Sequence, residues 1–134
     1  MIRWVIILLM LSLLLVACGG DDDEAEPTAE NIPAADYDEE TVMQGQRNYG
    51  IFCTACHGPD AAGVTGLGPS LLASDFFNVH SDEELLDFVI EGRPIDHPDN
   101  ATGIAMPPRG GYPNLSDEQI TDIIAYLRTE IADS

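Results

Sequence analysis

Two cysteines and a histidine at short spacing are the residues of this chain best suited to chemistry. Cys53 and Cys56 are separated by two residues, and His57 follows directly. On one helical turn, two such thiols can reach the two vinyl groups along one edge of a haem and form thioethers, while the adjacent imidazole coordinates the iron. The spacing therefore predicts covalent attachment of one haem c.

Other uses of two closely spaced cysteines agree less well with the rest of the sequence. A thioredoxin-like redox pair is typical of a βαβ context, and the chain shows no long alternating strand pattern. A structural zinc site needs four ligands, and the third cysteine, Cys18, lies far upstream. A simple disulfide would leave His57 without a role.

Iron in such a site needs a second axial ligand or an open position. Met43 is too close to Cys53 along the chain to reach the opposite face, and His80 directly precedes a helix cap, where a surface position is expected. Met106 lies in a loop stiffened by two following prolines, which can stay extended because proline fixes φ and removes a backbone donor. His97 in the same loop is the alternative ligand.

Helices must position these residues. The first predicted helix covers about residues 40–49, with Gly50 as its expected end. A second begins at a capping box formed by Ser81 and Glu84 and should end near Gly92.

A third predicted helix follows Ser116, with Gln119 completing a second capping box and Leu115 placed for a hydrophobic staple. Its apolar residues recur at helical spacing and define one buried stripe. These are Ile120, Ile123, Ile124, Leu127 and Ile131. Between the helices run two long loops, 58–80 and 93–115, which in so small a domain usually surround something functional.

Composition limits the classes of protein that this chain can belong to. It has 134 residues, 24 acidic against 5 basic side chains, and a formal net charge of −19. Its length suits a single compact domain. Nucleic-acid binding is excluded because so acidic a surface repels phosphate backbones. A protein partner is expected to present a basic docking face.

The N-terminal region has the pattern of a targeting segment followed by a linker. After Arg3, residues 4–17 are uncharged and largely apolar, the length of a signal-peptide core rather than a membrane span. The segment ends at Cys18 in a pattern that resembles a bacterial lipobox. We expect a signal peptide at 1–17, a lipidated Cys18 with an acidic flexible tether at 18–40, and a folded domain at 41–134. The domain is expected to be exported and held at the cell membrane on its periplasmic side.

The domain resembles the mono-haem class I cytochrome c family. The resemblance covers nearly all of residues 41–134. It is carried by Gly45, Tyr49, Cys53, Cys56, His57 and Gly58, then by Gly68-Pro69-Ser70-Leu71, Met106-Pro107 and Ala125-Tyr126-Leu127. It implies an all-α class I cytochrome c fold of three to four short helices around one covalently attached haem.

The resemblance also implies roles for individual residues. Met106 would be the distal iron ligand opposite His57. The carbonyl of Pro69 would accept the second N–H of the axial imidazole. Three further side chains are candidates for hydrogen bonds to the haem propionates, namely Arg93, Arg109 and Tyr112. Gly45 and Tyr49 would lie where the first and last helices cross.

A haem iron with ligands on both faces has no position for a substrate, so the resemblance implies a one-electron carrier between respiratory or photosynthetic partners rather than an enzyme. Two other functions stay open. The domain could be a fixed cytochrome subunit of a larger membrane oxidoreductase complex. A haem enzyme or a ligand sensor would instead need a distal ligand that is easily displaced.

Overall fold

The computed structural model describes residues 36–100 and 102–132, and within them the chain folds as helices joined by loops. The helices are α1 (Glu39–Phe52), α2 (Thr54–His57), α3 (Asp75–Val79), α4 (Asp82–Glu91) and α5 (Asp117–Ala132), with one 3-10 turn at Pro108–Gly111. Within these ranges no β-strand forms, and isolated bridges join Val64 to Gly68 and Arg93 to Met106. The all-α fold expected from the sequence is confirmed.

The principal packing is between α1 and α5. Gly45 permits their close approach, since a Cβ there would lie 1.9 Å from the carbonyl oxygen of Asp122. One turn later, the rings of Tyr49 and Tyr126 lie 5.6 Å apart. The Tyr49 hydroxyl donates to the carbonyl of Gly58 at 2.6 Å, which fixes the turn after the cysteine motif against this crossing.

Both predicted capping boxes are present. The Ser81 hydroxyl accepts from the Glu84 N–H at the start of α4, and the corresponding bonds join Ser116 and Gln119 before α5. The helix α4 ends at Gly92 as expected. The α5 stripe is buried at Ile120, Ile123, Ile124 and Leu127, whereas the Ile131 side chain lies outside the described residues.

The first helix differs from its expected bounds at both ends. It begins at Glu39, because the Asp38 carboxylate accepts the Thr41 N–H and caps it. The expected end at Gly50 is wrong: α1 continues to Phe52. Gly50 therefore stays within the helix instead of ending it. The short helices α2 and α3 have too few residues to show a helical period in the sequence.

A buried cation joins the two ends of the described domain. Arg128 is only 6% exposed, and its guanidinium donates to the Asp82 carboxylate at 3.0 Å and to the carbonyls of Phe77 and His80. The Tyr37 hydroxyl donates to the other Asp82 oxygen. Packing contacts thus begin at Tyr37, ahead of the boundary expected at residue 41. The signal peptide, Cys18 and most of the tether lie outside the described residues.

Candidate functional site

The orientation of His57 is set by a loop carbonyl. The imidazole Nδ1 lies 2.9 Å from the carbonyl oxygen of Pro69, so the hydrogen bond expected between these residues is present. A carbonyl oxygen can only accept, which places the proton on Nδ1 and leaves the lone pair on Nε2. Gly68 makes room for this contact, since a Cβ there would lie 3.2 Å from His57 Cε1 and 2.6 Å from the Cys56 carbonyl oxygen.

The two motif cysteines stand in different environments. Cys53 caps the C-terminal end of α1 and packs against the hydrophobic core, whereas Cys56 is exposed. Burial, with a smaller contribution from Cys56, raises the pKa of the Cys53 thiol to about 12. A redox-active pair needs a lowered thiol pKa, so the environment of Cys53 disfavours thioredoxin-like chemistry.

His57 and Met106 share the walls of two adjoining cavities, which together we call the crevice. The inner cavity has a volume of about 80 Å³ and the outer a volume of about 60 Å³. Phe52, Cys53 and Gly110 also belong to both walls. The inner wall is completed almost entirely by aliphatic and aromatic side chains of α3, α4 and α5.

The backbone of Met106 is held by the residue that follows α4. Arg93 N–H donates to the Met106 carbonyl at 2.7 Å, and Met106 N–H donates to the Arg93 carbonyl at 2.9 Å. Gly92 passes directly beneath, where a Cβ would lie 2.5 Å from the Met106 carbonyl oxygen. The φ of Gly92 is +71°, a value that side-chain-bearing residues rarely adopt. The end of α4 therefore fixes where the Met106 backbone lies along the crevice.

The three candidate propionate donors lie beside the crevice rather than in its described wall. The Arg93 guanidinium lies over the rings of Phe76 and Phe88, at 4.8 and 4.6 Å from their centroids. Arg109 and Tyr112 have other partners as well. Arg109 donates to the Leu115 carbonyl and pairs with Asp117, each at 2.7 Å, and Tyr112 packs edge-on against Phe52.

The other possible axial ligands also lie away from the described wall. His80 directs Nδ1 to the Phe76 carbonyl at 2.8 Å and stacks on the Phe76 ring. His97 accepts the Asp99 N–H on Nδ1 at 3.2 Å. Met43 is 44% exposed on α1.

The donor set of the crevice fits a haem. An imidazole with its free lone pair, a thioether sulfur and two thiols lie along one apolar cavity, and these are the groups that ligate and attach haem iron. Gly68, which belongs to the Gly68-Pro69 motif quoted above, creates the space for His57, and Gly92, expected only as the end of α4, creates the space for Met106.

The comparison with family models agrees with this chemistry. The family described as cytochrome c oxidase, cbb3-type, subunit III matches residues 40–127. The chain belongs to the cytochrome c family. Like other members of this family it carries covalently bound haem c, with a single haem in so small a domain, and its function is electron transfer.

A curated relative within the cytochrome c family extends the comparison. Cytochrome c-555 of Prosthecochloris aestuarii is 27% identical over 103 residues, which cover 75% of this chain and 98% of the relative. No solved structure matches the chain significantly. Members of the family typically work outside the cytoplasm. Among the described residues, none of the helices has the length and apolar character needed to cross a membrane.

Proposed function

We propose that this cytochrome c is a one-electron carrier in which His57 and Met106 are the two axial ligands. One observation carries the proposal: both residues line both cavities of the crevice, and the Pro69 carbonyl holds His57 with Nε2 as its free nitrogen. A haem bound there supplies an Fe(III)/Fe(II) couple, and thioether ligation raises its potential.

The chain's own contribution is to hold both axial groups and to exclude water. The apolar inner wall favours the less charged, reduced state of the centre. With both axial positions filled, no substrate can bind without displacing a ligand, so electrons pass by outer-sphere transfer. The exposed side of the crevice at Cys56 is the place where a partner can approach.

The proposal extends to attachment and partners. We infer that Cys18 carries a lipid, that the chain from Cys18 to the Tyr37 contact tethers the domain to the outer face of the cytoplasmic membrane, and that respiratory or photosynthetic partners dock through basic faces. The lipobox pattern and the net charge of −19 support this. Cys18→Ser should release the protein from membranes into the soluble fraction, and retention in the membrane would contradict lipid anchoring.

The axial ligands are tested with the haem-loaded protein. Met106→Ala should abolish the sulfur–iron charge-transfer absorption at the red end of the ferric spectrum. Met43→Ala is the matched control, because it removes an exposed methionine outside the described crevice wall and should leave the band unchanged. If the band survives in Met106→Ala, Met106 is not the ligand. His97→Ala then tests the alternative.

A second function is favoured by the family match itself. The matching family is named after a subunit of an oxidase, so this domain could serve as a fixed subunit of a membrane oxidoreductase complex. Purification in mild detergent distinguishes the two. Elution as a single small species supports the tethered carrier, whereas co-elution with a multi-subunit complex supports the fixed subunit.

A further inference from the structure

One amide side chain lies at the centre of the loop that carries Met106. Asn100 donates both hydrogens of Nδ2 to main-chain carbonyls, to Pro94 at 2.9 Å and to Ile104 at 2.9 Å. These carbonyls belong to the two arms of the loop. The side chain therefore links the outgoing arm, which leaves α4, to the returning arm, which leads to Met106.

The oxygen of the same amide is equally occupied. Asn100 Oδ1 accepts from the N–H groups of Thr102 at 3.2 Å and Gly103 at 2.9 Å, and from the Thr102 hydroxyl at 3.0 Å. Its partners settle which amide atom is which, because carbonyls can only accept and N–H groups only donate. Aspartate would keep the accepting side of this arrangement and lose the donating side.

The backbone alone cannot join the two arms in this way. Arg93 and Met106 form a two-bond antiparallel pair, after which the next hydrogen-bonded pair would be Ile95 and Ile104. No main-chain hydrogen bond joins these two described residues. Asn100 Nδ2 instead links the two arms in the part of the loop between Arg93 and Met106, through the carbonyls of Pro94 and Ile104. Apart from the bond from Asn100, the one contact of the Ile104 carbonyl with another described side chain is from the Thr102 hydroxyl, at 3.4 Å.

Ile104 connects this loop to the site. It lines the outer cavity, together with Ala105 and Met106. We propose that Asn100 is a positioning residue that, through the Ile104 carbonyl, holds the Met106 thioether against the crevice. This inference rests on the proposed function in which Met106 is an axial ligand. Asn100 itself is not part of the described crevice wall.

The test measures how readily Met106 leaves the iron. Exogenous imidazole competes for that position in the ferric, haem-loaded protein, so its apparent affinity follows the fraction of molecules in which Met106 has dissociated. Asn100→Asp removes the two hydrogen bonds by which Nδ2 links the outgoing arm at Pro94 to the returning arm at Ile104. It should raise the apparent imidazole affinity at least about tenfold, with unchanged haem content and helix content.

Asn78→Asp is the matched control. It introduces the same charge on the exposed surface of α3, outside the described crevice wall, and should bind imidazole as the unaltered protein does. Thr102→Val is a second variant, which removes the hydroxyl contacts to Asn100 Oδ1 and to the carbonyl and N–H of Ile104. A smaller increase in imidazole affinity is expected.

The outcomes separate this inference from the proposed function. If the unaltered protein shows no sulfur–iron band, Met106 ligation fails and the role of Asn100 fails with it. If the band is present but Asn100→Asp binds imidazole no better than Asn78→Asp, only the role of Asn100 is refuted. If Asn100→Asp does not fold, Asn100→Ala takes its place, because it removes the same two Nδ2 donations without adding a charge, and an unchanged imidazole affinity in that variant refutes the role of Asn100.

Discussion

The main chains of Arg93 and Met106 are joined by a reciprocal pair of hydrogen bonds at 2.7 and 2.9 Å. Because Arg93 directly follows the Gly92 cap of α4, this pair transmits the position of that helix to the proposed axial ligand. The helix in turn packs against α5. The position of the Met106 backbone in the crevice is thus set by the packing of α4 in the hydrophobic core and not by the loop alone.

Replacing Gly92 should weaken the Met106–iron bond. In Gly92→Ala, the new Cβ would lie 2.5 Å from the Met106 carbonyl oxygen at a φ of +71°. We expect loss of intensity in the ferric sulfur–iron band and a destabilisation beyond the ~1–3 kcal/mol cost of the strained backbone. Gly66→Ala is the control, since its φ is +78° but no atom lies within 4 Å. Equal effects in both variants would contradict the proposed contact.

The α1–α5 crossing should be intolerant of a single methyl group. Gly45→Ala places a Cβ 1.9 Å from the Asp122 carbonyl oxygen, which a helix backbone cannot easily avoid, and should lower the free energy of unfolding by at least ~2 kcal/mol. Gly50→Ala, in the same helix with nothing within 4 Å, should raise it by ~0.5–1 kcal/mol. Urea denaturation of the haem-loaded protein measures both, and the opposite signs are the critical result.

Arg128 should be important for stability although it lies away from the described crevice wall. Arg128→Met keeps much of the packing but leaves Asp82 and two carbonyls without their guanidinium partner. We expect a loss of about 3 kcal/mol. Arg47→Met is the control, because Arg47 is exposed, and it should change stability by less than ~0.5 kcal/mol. Equal losses of unfolding free energy in Arg128→Met and Arg47→Met, measured by denaturant titration, would contradict a stabilising role for the Arg128 contacts.

Tyr37 gives a pH-dependent prediction. Burial, followed by the hydrogen bond to Asp82, raises the pKa of Tyr37 from 10.0 to about 12 in the folded protein. The contribution to stability is therefore complete below pH 10 and is lost as the pH rises towards 12. Tyr37→Phe should show a shallower loss of unfolding free energy between pH 10 and pH 12. An identical slope in both proteins would mean that Tyr37 is not held by Asp82.

The sequence predicted those parts of the fold that depend on local rules. The capping boxes at Ser81 and Ser116, the α5 stripe and the end of α4 all follow from side chains close along the chain. The end of α1 could not be predicted in this way. Gly50 is compatible both with a helix end and with a helix interior, and the choice depends on the tertiary packing of the residues that follow.

The same distinction applies to the site. The spacing of Cys53, Cys56 and His57 is a local pattern that the sequence displays directly. The ion pair between Arg109 and Asp117 depends on a contact between separate elements, and so does the position of Arg93 over two phenyl rings. The bonds from Asn100 across its loop depend on how the arms of the loop fold back. No spacing rule predicts these arrangements.

The bond between Tyr37 and Asp82 has a mechanical consequence. A pulling force transmitted along the preceding residues would first load this contact and the Asp82–Arg128 pair behind it. None of these three side chains belongs to the described crevice wall. Traction on the N-terminal segment therefore first reaches the start of α4 and the C-terminal helix α5 rather than His57 or Met106 directly.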